Sequence, residues 1–164
     1  AARDVSKKYL AIVKGEAATD EGVIDAPLGP SGRRTPLMAV VDGGKRSVTR
    51  WQVVERFRGY ALVEARPETG RTHQIRVHMA YAGMPLAVDE MYGGGEALML
   101  SAIKRGYKIS GTEKPLISRL TLHAREIEFA HPITGEAVRI EAPLCEDFAR
   151  ALKALGKWAK RGAR

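Results

Sequence analysis

The sequence is poor in cysteine and has no long apolar run. Cys145 is the only cysteine among 164 residues, so an intrachain disulfide is excluded and a reducing compartment fits the composition. No apolar run is long enough to cross a bilayer, and no secretory leader precedes the first predicted strand. We therefore expect a cytoplasmic protein that has no membrane partner.

Acidic residues are also too few to balance the basic ones. Lysine and arginine number 27 against 19 aspartates and glutamates, which gives a net charge of +8. This excess favours a polyanionic partner such as a nucleic acid, although a merely basic soluble protein has the same composition. Hydrophobic residues make up 45% of the chain, as in ordinary globular proteins. The length predicts one domain over residues 1–164, with a core of its own.

The first part of the chain has the pattern of strands. Residues 8–14 are apolar on both faces, which is typical of a central strand. A short strand is predicted at residues 23–29, and another at 38–41 inside a basic loop. Residues 47–57 and 60–65 predict a hairpin across an Arg-Gly turn.

The second part has fewer strands and more irregular chain. Beyond a helix near residue 75, glycines 93–95 open an insertion that reaches about residue 116 and can hold a short helix over 96–105. Strands are predicted at 116–124, 126–130 and 137–141, and a final helix at 146–160, with Phe148, Leu152, Leu155 and Ala159 as its buried stripe. Because hairpins recur and helices do not alternate with strands, the fold class is α+β.

One polar stretch, residues 68–78, crowds two arginines, two histidines and a glutamine around a predicted helix start. The pattern predicts a helix from residue 71 or 72 to 82, capped by a threonine and ended by Gly83. Ile75, Met79 and Ala82 form its packing face, and the other face presents Arg76. Such a helix start favours anions, although a solvated basic face has the same composition.

Four strings, taken in order, carry a resemblance to a known family. They are VSKKYLAIVKG (5–15), TGRTHQIRVH (69–78), GMPLAVDEMYGG (83–94), and RLTLHAR with FAHPITGE (119–136). They closely resemble the RluA-type RNA pseudouridine synthases. The resemblance implies a mainly antiparallel, partly mixed sheet with a few flanking helices. It also implies isomerisation of specific uridines in ribosomal or transfer RNA, on a base extruded from the RNA, without a metal or organic cofactor.

The resemblance also implies roles for individual residues. Tyr9 matches the tyrosine that stacks on the target base and serves as general base, although a tyrosine on a buried strand is more often a core residue. Arg76 matches the arginine that pairs with the catalytic aspartate and keeps it ionised. The residues expected to contact RNA are Lys7, Arg33, Arg34, Arg71, Thr72, His73 and Gln74. The four histidines lack metal-site spacing, so we expect no metal site.

Two features depart from the family pattern. Val88 stands where a glycine usually precedes Asp89, which we expect to alter only a local turn. The Arg-Leu-Asp-x-x-Thr-Ser-Gly motif that carries the catalytic aspartate is absent from the sequence. The chain is therefore expected to be the C-terminal part of a catalytic domain, inactive alone, whose partner is the missing N-terminal half. The alternative is a non-catalytic RNA-binding domain of the same fold.

Overall fold

The computed structural model describes residues 5–32 and 37–160. The strands are β1 Ser6–Lys14, β2 Glu21–Asp25, β3 Leu28–Pro30, β4 Met38–Val40, β5 Val48–Phe57, β6 Tyr60–Pro67, β7 Leu122–Ala130 and β8 Ala137–Glu141. The helices are α1 Gln74–Tyr81, α2 Leu100–Ile103 and α3 Glu146–Trp158. None of these helices has the length and apolarity that crossing a membrane requires.

A six-stranded sheet in the order β2-β5-β6-β1-β7-β8 forms the centre of the fold. Each of its ladders is antiparallel, and β3 and β4 form a separate two-stranded sheet. In the described residues, the parallel pairing is a single bridge between Val88 and Gly95. The α+β class and the mainly antiparallel sheet are confirmed, as is the central position predicted for β1.

The central strand β1 separates two apolar cores because its side chains alternate between the two faces of the sheet. Ala11 and Val13 point to the core that includes Ile75 and Met79 of α1. Ile12 points to the opposite core, which α3 and the segment around α2 complete. This arrangement places α1 and the side chain of Tyr9, near the start of β1, on the same face of the sheet.

Helix α1 begins later than the sequence predicts. His73 has φ 56°, a left-handed conformation that cannot continue a helix, so α1 begins at Gln74. No side chain caps it, which makes the predicted threonine cap wrong. The helix ends before Gly83, whose φ is 75°, and Ala82 is exposed rather than buried. Val77 and His78 are buried in addition to the predicted face.

The insertion after α1 is less regular than predicted, whereas the last helix agrees well. The predicted helix over 96–105 is reduced to Leu100–Ile103. Residues 116–121 do not form a strand, because Thr121 turns inward to bond Ile12 and Val88, and the two predicted strands become the single strand β7. Helix α3 buries Phe148, Ala151 and Leu155. Of the predicted stripe, Phe148, Leu155 and Ala159 are fully buried, whereas Leu152 is only half-buried at the edge of the same core.

Candidate active site

A cleft of about 260 Å³ lies between the start of β1, the end of β6 and the start of α1. Its apolar wall consists of Ile75, Leu120 and Leu122. Its polar lining brings together six of the residues selected from the sequence, namely Lys7, Tyr9, Arg71, His73, Gln74 and Arg76. An apolar wall beside several basic groups suits a flat heterocycle attached to a phosphate backbone.

Tyr9 lies on β1 between Ala65 of β6 and Ala124 of β7, next to a β-bulge at Lys8 and Tyr9. The two neighbouring methyl groups are too small to cover the tyrosine ring. Its side chain is half-buried, and no described residue forms a hydrogen bond with its hydroxyl. Tyr9 therefore offers the cleft both a ring face and an unused hydroxyl.

Arg76 forms a two-point ion pair with Asp89. Its Nε donates to Oδ2 of Asp89 at 2.8 Å, and its Nη2 donates to Oδ1 at 2.7 Å. The side chains are 14% and 1% exposed, respectively. The hydrogen bond to Asp89 is the main reason that the pKa of Arg76 is raised above its ordinary value. In this chain, the carboxylate beside Arg76 is thus Asp89, a partner that the sequence analysis did not identify.

Tyr92 ties Arg76 to His73. The Arg76 guanidinium carbon lies 4.8 Å from the Tyr92 ring centroid, in a cation–π arrangement. The Tyr92 hydroxyl accepts the backbone N–H of Met38 at 3.1 Å and lies 2.8 Å from Nδ1 of His73. Burial, and then the nearby Arg76 charge, lower the pKa of His73, while Asp89 opposes the shift. The lowered pKa favours the neutral form of His73, and its ring lies at the cleft beside an unusual backbone conformation.

Gln74 serves the protein interior rather than the surface. It is 4% exposed, and its amide nitrogen donates to the Val48 carbonyl and to the Thr49 hydroxyl. Its amide oxygen accepts the Thr69 hydroxyl and the Arg71 N–H. Because all of its polar atoms have protein partners, the RNA contact expected for Gln74 is not supported by its position, and it instead orients the loop before α1.

The remaining expected RNA contacts lie around the helix start. Arg71 and Thr72 are exposed and also line a neighbouring cavity of about 530 Å³ together with Lys45. The Nζ of Lys7 lies beside Gly70, 3.6 Å from where a β-carbon would be. Arg33 and Arg34 fall outside the described residues. The rim of the cleft is thus basic on both sides.

Histidine 78 of α1 is part of a buried polar network and not of the cleft. Its Nε2 lies 3.0 Å from the Ala26 carbonyl and its Nδ1 lies 2.9 Å from the Thr49 hydroxyl. Burial lowers its pKa. Across residues 5–32 and 37–160, no group of three or more His, Cys, Asp or Glu side chains is arranged to hold a metal ion.

Comparison with known proteins relates the sequence and fold of this chain to one class of RNA-modifying enzyme. The family model described as RNA pseudouridylate synthase matches residues 1–81. The solved structure of human RNA pseudouridylate synthase domain containing 1 is similar, with a TM-score of 0.65 and 28% identity over 85% of this chain and 55% of that chain. A second human structure, domain containing 4, has a TM-score of 0.64 and 28% identity, and covers 92% of this chain and 62% of that one.

Curated bacterial proteins are more similar in sequence. Ribosomal large subunit pseudouridine synthase D of Xanthomonas campestris is 43% identical over 99% of this chain and 47% of its own length. Ribosomal large subunit pseudouridine synthase C of Escherichia coli is 42% identical over 93% of this chain and 46% of its own length. The chain therefore spans about half the length of these relatives. It belongs to the RluA-type family of RNA pseudouridine synthases.

Proposed function

We propose that the protein to which this chain belongs converts uridines of ribosomal RNA into pseudouridine. The observation that carries the proposal is that Tyr9 and Arg76, distant in sequence, line one cleft together with Lys7 and Arg71. Relatives named as ribosomal large subunit pseudouridine synthases support ribosomal over transfer RNA. In this proposal, residues 1–164 form the second part of one catalytic domain.

The reaction assigns a task to each side of the cleft. The bond between C1′ and N1 of the uridine breaks, the base rotates, a bond between C1′ and C5 forms, and the C5 proton is lost while N1 gains one. The Tyr9 ring can stack on the base, and its free hydroxyl oxygen is the group positioned to take the C5 proton. The Arg76 guanidinium keeps a nearby aspartate ionised, as a carboxylate must be to begin the reaction.

Basic residues at the rim would hold the RNA strand. Lys7 and Arg71 are positioned to contact phosphates on either side of an extruded nucleotide, and Thr72 adds a hydroxyl donor at the exposed helix start. His73 would face the base or its sugar, because its ring is fixed at the cleft by Tyr92. These contacts position the strand and carry little sequence information, so selection of one uridine requires further contacts.

Asp89 is not suited to act as the nucleophile, although it is the carboxylate next to Arg76. Its side chain is 1% exposed, and both oxygens bind Arg76. A nucleotide in the cleft therefore cannot reach it. We propose that the catalytic aspartate is supplied by a segment of the catalytic domain that is not part of residues 1–164.

Tritium release from ribosomal RNA labelled at uridine C5 tests this proposal. We expect release by the full-length protein, little release from transfer RNA, and none by residues 1–164 alone. Turnover by the 164-residue chain would contradict the assignment of the nucleophile to another segment. RNA binding by the full-length protein without any tritium release would instead favour the alternative function, a non-catalytic RNA-binding domain.

A further inference from the structure

Asp89 occupies only one edge of the Arg76 guanidinium. The pair uses Nε and Nη2, at 2.8 and 2.7 Å from the two carboxylate oxygens. In the part of the chain that the structure describes, Nη1 forms no hydrogen bond. A guanidinium has five N–H donors in a planar fork, so a second carboxylate can bind at the remaining edge.

The carboxylate of Asp89 is itself held in place by its own loop. The Oδ1 atom of Asp89 accepts the Met91 N–H at 3.2 Å. The backbone carbonyl of Asp89 accepts the Gly94 N–H at 2.8 Å, and the backbone N–H of Asp89 donates to the Gly95 carbonyl. A β-carbon at Gly94 would lie 2.4 Å from the Asp89 nitrogen, so the loop closes this tightly only with glycine there. The anchor of Arg76 is therefore rigid.

Arg76 also lies between two cavities. It lines the cleft that contains Tyr9, and it lines a second cavity of about 300 Å³ on the Asp89 side, together with Val88 and Ser118. With one edge fixed by Asp89, the guanidinium has limited freedom to turn away from the cleft.

We propose that Asp89 is a positioning residue, which anchors Arg76 by its Nε and Nη2 edge so that Nη1 is presented to the catalytic aspartate in the cleft. This role rests on the proposed function. Asp89 also offsets part of the Arg76 charge, and the part that remains keeps the catalytic carboxylate ionised. The catalytic carboxylate therefore experiences less stabilisation of its ionised form than it would beside an unpaired arginine, and its nucleophilicity is preserved.

The geometry can be tested on residues 1–164 without any activity, by NMR of arginine Nε–H groups. We expect the Arg76 Nε–H to exchange much more slowly than that of Arg50, which also pairs with a carboxylate, Glu68, but whose side chain is 61% exposed. Asp89→Asn should abolish this protection. Asp147→Asn is the matched control, because it breaks the two-point pair of Arg119 with distances of 2.7 and 2.7 Å. Exchange of the wild-type Arg76 group as fast as that of Arg50 overturns the anchor even if the Asp89 variant does not fold.

The functional role is tested by the pH dependence of turnover in the full-length protein. In Asp89→Asn we expect turnover to fall about 10- to 100-fold, by analogy with the loss of outer partners that orient metal ligands. The acid limb of the pH profile of turnover, which reports ionisation of the catalytic aspartate, should also move to lower pH by about one unit. The reason is that Arg76, no longer paired with Asp89, then stabilises only the catalytic carboxylate. A purely structural defect lowers turnover without moving the limb, which is the result we expect for Asp147→Asn.

The outcomes separate the two proposals. If the wild-type full-length protein forms pseudouridine and the acid limb is unchanged in Asp89→Asn, the positioning role is overturned and the proposed function stands. If the wild-type protein forms none, the proposed function and this role both fail. A protected Arg76 Nε–H together with a shifted limb supports the role.

Discussion

The hydroxyl of Tyr92 and the imidazole of His73 are joined by a hydrogen bond of 2.8 Å. Because the hydroxyl oxygen already accepts the Met38 N–H, its own proton is free to be donated to Nδ1 of His73. In that arrangement a neutral imidazole carries its proton on Nε2, which is the tautomer we expect. One side chain thus orients a histidine at the cleft and favours one of its tautomers.

Tyr92→Phe removes this hydroxyl and keeps the ring over Arg76. We expect a loss of about 1–3 kcal/mol in the free energy of unfolding, because the partly buried Met38 N–H loses its acceptor. The ¹⁵N chemical shifts of the His73 ring should show a mixture of tautomers. Tyr81→Phe is the control, since Tyr81 lies at the end of α1, the helix that His73 precedes, and is 65% exposed. Unchanged His73 shifts in Tyr92→Phe would contradict the tautomer assignment.

Arg76→Ala should destabilise the fold and abolish turnover together. Its removal leaves Asp89 as a buried unpaired charge, which typically costs about 3–5 kcal/mol. Thermal unfolding of the 164-residue chain measures the first effect, and tritium release by the full-length protein measures the second. Arg76→Lys should recover part of the stability, but not the two-point geometry. Near-normal turnover in Arg76→Ala would refute the role proposed for this residue.

Tyr9→Phe should separate catalysis from folding. The ring, its packing against the α1 side of the sheet and its stacking surface are retained, and the hydroxyl that it loses has no partner in the described residues. Stability and RNA affinity should be unchanged, whereas turnover of the full-length protein should collapse. Thermal melts, filter binding and tritium release decide the matter. Wild-type turnover would mean that another group takes the C5 proton.

Stability should depend on pH because of His78. Its ordinary pKa of 6.5 applies to the unfolded chain, and burial lowers the folded value. Between the folded pKa of His78 and its ordinary pKa, the unfolded chain therefore binds more protons than the folded chain. The stability that neutral His78 contributes is fully present above pH 6.5 and is lost as the pH falls through the folded pKa. The slope is at most about 1.4 kcal/mol per pH unit for one histidine.

His78→Gln tests this prediction, because glutamine does not titrate. The comparison is between slopes of unfolding free energy against pH, so a general loss of stability does not obscure it. His73 also has a lowered pKa and contributes in the same direction, so His73→Gln serves as a separate control. An unchanged slope in His78→Gln would show that the buried network is not responsible.

The isolated chain should bind RNA weakly and in a salt-dependent manner. The net charge is +8, and the expected basic contacts are Lys7, Arg33, Arg34 and Arg71. Phosphate neutralisation dominates such binding, so affinity should fall steeply as the salt concentration rises. In a plot of log affinity against log salt concentration, Arg71→Ala should reduce the slope by about one unit. Lys104→Ala should change this slope less than Arg71→Ala does, because Lys104 packs over the Trp158 ring at 4.2 Å and does not line the cleft. An affinity independent of ionic strength would contradict this account.

Elements with a strong local pattern were predicted well from the sequence. The β5–β6 hairpin turns at Arg58 and Gly59 as predicted, because Gly59 supplies the positive φ of 74° that the turn requires. Strand β1 is apolar on both faces and lies inside the sheet. In both cases the information is contained within a dozen neighbouring residues.

The centre of the candidate site depends on contacts between distant residues, which periodicity does not encode. The partner of Arg76 is Asp89, and the left-handed His73 is held by Tyr92. Asp89 and Tyr92 both lie in the string GMPLAVDEMYGG, but the sequence alone assigned no role to either residue. The internal hydrogen bonds of Gln74 were not predictable from the sequence, because a polar residue at a helix start usually faces water, whereas here Thr49 and Thr69 bind its side chain.

The position of β1 between β6 and β7 has a consequence for folding. The β5–β6 and β7–β8 hairpins join neighbouring segments and can form early, whereas β1 must pair with two strands that follow much later in the chain. Closing such long loops is entropically costly, so β1 is expected to dock last. Tyr9 and Lys7 lie on β1, so the cleft is complete only after the other strands of the sheet have paired. Partly folded intermediates should therefore lack the candidate site altogether.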